Sequence, residues 1–186
     1  MVGEAVAAYR GDAEEEAPEV TIELPVDAHV PHDYIAHERL RLEAYQKIAA
    51  AQTSAALDEV RAELVDRYGA LPEVVSALFD VAAFRNHARA AGLSDVTAQG
   101  KFVRFAPVDL PESATLRLKR LYPGTVLKPA IRAVLVPFPT TARIGGRPLR
   151  GAEVLAWATE LIDAVIGGSV SAAAGVGTSG AAGSSR

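Results

Sequence analysis

Three imidazoles and a carboxylate crowd into one short stretch, H-V-P-H-D-Y-I-A-H, which holds His29, His32, Asp33 and His37. Neutral imidazole nitrogens and carboxylate oxygens are the donors that zinc or nickel takes. The spacing follows no mechanically sensible metal motif. His29 and His32 flank Pro31, which keeps that stretch extended, and His37 stands where a helix begins. We therefore expect histidines at a strand-to-helix junction, no bound metal, and no metal-dependent enzyme built on them.

A second set is charged. In A-E-L-V-D-R-Y-G-A-L-P, residues Glu63, Asp66 and Arg67 stand at i, i+3 and i+4, so they share one side of a helix. Either this is a solvated face, with a Glu63–Arg67 pair adding roughly 0.2–0.5 kcal/mol, or a partner reads it.

Other chemistry is missing from the string. There is no cysteine among the 186 residues, which removes disulfides, thiolate zinc sites and thiol nucleophiles. There is no G-x-x-x-x-G-K-[ST], no G-x-G-x-x-G and no G-x-S-x-G, so neither a nucleotide cofactor nor a serine hydrolase is expected. Gly145-Gly146 reads as a turn. Without a signal sequence or a long apolar run, the expectation is a soluble cytoplasmic chain with no membrane contact.

The elements that must position these residues follow from spacing. Residues 1–19 are polar and acidic and read as a linker; residues 168–186 are rich in Gly, Ala and Ser and read as a tail. The folded domain is expected over 20–167. Val20 to Pro31 alternates but contains two prolines, which suits an edge strand at best. Three helices follow, over 37–51, 54–69 and from Pro72 to Gly92. Ser54 is the candidate cap of the second, and Leu57, Val60, Leu64 and Tyr68 form its apolar face.

A hairpin turning at Gln99-Gly100 comes next, then a helix opened by Pro111. A strand region is strongest at Ile131 to Val136. A final helix carries the stripe Val154, Leu155, Ala158, Leu161, Ile162 and Val165, beside a packed Trp157. The class is α+β: a helical N-terminal half, then a small β-sheet with two further helices.

Charge is uneven. Residues 1–100 carry 8 Lys/Arg against 18 Asp/Glu, whereas residues 101–150 carry 10 against 2. The basic block could contact nucleic acid, through Lys101, Arg104, Arg117, Lys119, Arg120, Lys128 and Arg132, or could neutralise the acidic helices within the domain. The second reading is preferred, because no aromatic-rich basic motif accompanies it.

The segments P-H-D-Y-I (31–35), E-R-L-R-L-E-A-Y-Q-K-I-A (38–49) and E-L-V-D-R-Y-G-A-L-P (63–72) make the chain similar to the C-terminal domain of the bacterial transcription-repair coupling factor, Mfd. The similarity runs over about 20–167 and loosens after Gly100. It implies a non-catalytic α+β domain of a DNA translocase whose motor domains, with their ATP and magnesium, lie elsewhere. It implies docking on a UvrB-like module of the same polypeptide, masking the surface that UvrA needs until the factor acts on stalled RNA polymerase. The family's interdomain contact residues correspond to Glu63, Asp66 and Arg67.

Overall fold

Apolar residues every three or four positions produce helices here, and Gly69 and Gly92, both at positive φ, follow the ends of two of them. In the computed structural model, which describes residues 19–167, β1 (Thr21–Glu23) precedes three helices: α1 (Glu38–Ala50), α2 (Ser54–Tyr68) and α3 (Glu73–Ala90). The hairpin β2 (Asp95–Gln99) and β3 (Phe102–Ala106) follows, then α4 (Glu112–Leu121), β4 (Val126–Lys128), β5 (Ala133–Pro137) and α5 (Ala152–Leu161). The class is α+β, with helices first and the sheet in the middle. Apart from Glu19, the linker expected over 1–19 and the tail expected over 168–186 lie outside the described residues.

Two local expectations are corrected. The cap of α2 is Thr53, not Ser54: Thr53 is extended (ψ 160°) and its hydroxyl accepts from the Ala56 N–H at 3.1 Å. Ser54 is already helical. The strand region also begins later than Ile131. Pro129, which has no N–H to give a ladder, opens a 3-10 turn through Ile131, and Arg132 takes a left-handed φ of 51°. That reversal returns the chain, so the strand starts at Ala133, opposite Lys128.

The sheet order is β1-β2-β3-β5-β4. β1 is an edge strand, as expected from Pro25 just after it, and runs parallel to β2; the other pairs are antiparallel. Register puts Val96, Phe105 and Val134 in line across the sheet, and Val103 beside Val136. All five are buried, in one cluster with Leu118 and with Leu155, Ala158, Leu161, Ile162 and Val165 of the final helical stripe; Val154, the sixth residue of the stripe, is buried too. Trp157 packs on that cluster with its ring 6.2 Å from Phe105 and 6.0 Å from Tyr122. Past Leu161 the last helix loosens into a π turn, Ile162–Ile166.

A second cluster belongs to the helices: Val30, Ile35, Ala44, Ile48, Leu57, Leu64, Val75, Phe79 and Ala82. α3 joins the two. Its first half gives Val75, Phe79 and Ala82 to the helical cluster, and its second half gives Phe84 and Ala88 to the sheet cluster. Among the described residues no helix is long and apolar enough to cross a membrane.

Candidate functional site

The charged side of α2 is held in place from three directions. Burial of Leu57 and Leu64 against α1 and α3 fixes the rotation of the helix, which leaves Asp66 on the opposite side. Tyr34 fixes its end. Its hydroxyl reaches the carbonyl oxygens of Leu64 at 3.1 Å and Gly69 at 2.9 Å, and its ring meets Tyr68 edge-on at 5.8 Å. Gly69 closes the helix with φ 87°, a conformation glycine adopts without steric cost. The segment carrying Tyr34 is tied in turn to α1. The Arg41 guanidinium donates to the carbonyls of Ile35 and Ala36, and the Val30 N–H donates to the Tyr45 hydroxyl.

The three charged residues are not equivalent. Glu63 is half-buried and turned toward α1, where Lys47 Nζ lies 2.5 Å from its Oε1. Lys47 also meets Glu43 at 3.2 Å, and Arg67 meets Glu63 at 3.3 Å. The hydrogen bond from Lys47 holds the Glu63 carboxyl below its usual range, with a smaller effect of Arg67 in the same direction. Glu63, then Glu43, raise the Lys47 ammonium. Arg67 is exposed and lies 5.1 Å from the Tyr68 ring. Asp66 is exposed and reaches no charged partner among the described residues. What sets Glu63 apart is its contact with Lys47 of α1, which makes it a tie between helices as well as part of the charged side. The notch between these residues holds only about 10 Å³, too little space for a small-molecule ligand.

Lys47, Glu43 and Tyr34 are the participants that sequence reasoning missed. Lys47 and Glu63 are sixteen residues apart, and no local spacing announces their pairing.

The basic candidates are dispersed. Lys101 sits at the hairpin turn beside the end of β5, while Lys128 and Arg132 lie at the start of β5, roughly 17 Å away along the strand. Arg104 is half-buried in β3, 3.5 Å from Asp95. Arg132 is 2.6 Å from Asp109, and Arg117 donates to the Ala164 carbonyl. Lys119 and Arg120 are exposed in the last turn of α4. These seven do not gather into one patch. His29 lies 3.1 Å from Asp27 and His32 3.0 Å from Asp33; His37 precedes α1 and makes no capping bond. Among the described residues no three His, Cys, Asp or Glu side chains gather as metal ligands.

Comparison with known proteins adds three findings. Residues 24–115 match the family described as the TRCF domain. The chain is 43% identical over 179 residues, 90% of its length, to the transcription-repair-coupling factors of Mycobacterium bovis and Mycobacterium tuberculosis. It is 34% identical over 105 residues, 55% of its length, to that of Staphylococcus aureus. It spans 14% of the mycobacterial relatives and 9% of the staphylococcal one. A solved crystal structure of the C-terminal domain of transcription-repair coupling factor shares the fold. Its TM-score is 0.61 and its identity 17%, over 82% of this chain and 95% of that one.

Proposed function

This chain belongs to the transcription-repair coupling factor family as its C-terminal, TRCF domain, and on that premise we propose that it is a non-catalytic docking domain. In this reading Asp66 and Arg67, oriented by Glu63, contact a UvrB-like module of the same polypeptide. The contact masks the surface that UvrA uses in transcription-coupled nucleotide excision repair. ATP and magnesium act in motor domains outside this chain, stalled RNA polymerase is met by the whole factor, and the setting is the cytoplasm.

The observation that carries the reading is the exposed Asp66–Arg67 pair, on the side of α2 away from its buried leucines. Charges in such a place set orientation and specificity more than affinity. An intramolecular partner supplies high effective concentration, so a small charged contact closes and still releases. The full-length factor carrying Asp66→Ala and Arg67→Ala should bind UvrA more tightly than wild type in the absence of polymerase. Equal binding would remove the masking role.

A further inference from the structure

The most exposed large apolar side chain among the described residues is Ile144, at 93%. It stands at the tip of a loop over 139–150 that is tightly built. Thr140 bridges Pro148, the Thr141 N–H donates to the Arg147 carbonyl at 2.9 Å, and the Leu149 N–H donates to the Pro139 carbonyl at 3.0 Å. The Thr140 and Thr141 hydroxyls add bonds to the Ala142 carbonyl and from the Arg147 N–H. Gly145 turns the tip with φ 71°, and a Cβ at Gly146 would fall 2.3 Å from the Ala142 nitrogen. The base is anchored by the Phe138 N–H on the Lys101 carbonyl and the Gly151 N–H on the Pro25 carbonyl. A fully hydrated isoleucine is thus presented on a preorganised support.

The loop is also basic. Arg143 and Arg150 are exposed and make no ion pair among the described residues, and Arg147 is held by Glu153 at 3.1 Å. No Asp or Glu occurs between Glu112 and Glu153. We propose that this loop is a duplex-DNA contact, in which Arg143 enters the minor groove and Ile144 wedges against the base steps. Arginine beside an aliphatic wedge is the pairing that minor-groove binders use. A tip with no side chains at two successive positions suits a groove about 6 Å wide. The contact is independent of the α2 flank and does not rest on the docking proposed above.

The test is fluorescence anisotropy of a short labelled A·T-rich duplex titrated with the 186-residue chain, between about 50 and 200 mM salt. Micromolar binding that weakens with salt is expected. Arg143→Ala should reduce the salt slope by about one, as expected when one cation that displaces counterions from the duplex is removed. Ile144→Ala should weaken binding several-fold with the slope unchanged, since it removes no charge. A minor-groove-binding drug should compete. Both substitutions lie on exposed side chains, so thermal melts should match wild type. Absence of salt-dependent binding, indifference to both substitutions, or failure of the drug to compete would overturn the proposal. The apolar cleft at the loop's base, beside Leu24, Phe138 and Pro148, makes an acidic protein the rival partner. Labelled poly-glutamate that binds with the same sensitivities, where the duplex does not, would replace DNA with that partner.

Discussion

The ammonium of Lys47 lies 2.5 Å from the carboxylate of Glu63 and joins α1 to α2 across sixteen residues of chain. A residue that resemblance assigns to an interdomain contact is thereby also a joint within the domain. The two roles separate by mutation. Glu63→Ala should lower the melting temperature of the chain, whereas Asp66→Ala with Arg67→Ala should leave it nearly unchanged, within about 1 kcal/mol of stability. Only the latter pair then reports docking cleanly in the full-length factor. Thermal melts of both variants decide the point; equal loss in the two would show that the whole flank is structural.

The same joint gives a pH dependence. Glu63 is held below its ordinary value of 4.5 by its hydrogen bond from Lys47. A depressed carboxylate contributes stability above that ordinary value and loses it as pH falls through the lower, folded value. Lys47→Met should therefore destabilise the chain near neutral pH and much less in strong acid. Melting curves of wild type and variant from neutral to acid should converge; parallel curves would deny the bond a role.

Tyr34→Phe removes the hydroxyl whose single proton serves the Leu64 and Gly69 carbonyls at the end of α2. The expected cost is about 1–2 kcal/mol. Urea unfolding measures it, with faster hydrogen exchange at the end of α2 as the local signature.

Phe79 is 1% exposed and lies on α3 below the point where the helix passes from one cluster to the other. Phe79→Ala should cost about 3–5 kcal/mol. If α3 couples the clusters, one transition should persist at a lower urea midpoint. Two separated transitions would show that the clusters unfold independently.

Gly146→Ala puts a Cβ against the Ala142 backbone. The loop should open and the buried core should not. Amides of Thr141 and Arg147 should exchange faster while the melting temperature holds, and duplex binding, where wild type shows it, should fall with them.

Local physics made much of this protein legible in its sequence. The spacing of Leu57, Val60, Leu64 and Tyr68 marks a helix and its buried side, and Gly69 marks its end, because both signals lie within a few residues. Prolines near β1 read as an edge strand for the same reason. At one-residue resolution the signal failed. Thr53 and Ser54 both carry a hydroxyl able to cap, and only the extended backbone at Thr53 selects it. Ile131 has strand propensity, yet the adjacent proline turn and the left-handed Arg132 override it. Tertiary structure alone paired Lys47 with Glu63, set Tyr34 on the end of α2, and laid β1 beside β2 after three intervening helices. It also scattered the basic residues and lifted Ile144 clear of the surface. Periodicity states which side of an element is buried. Which elements meet depends on how the clusters close around α3, and no spacing within one element carries that.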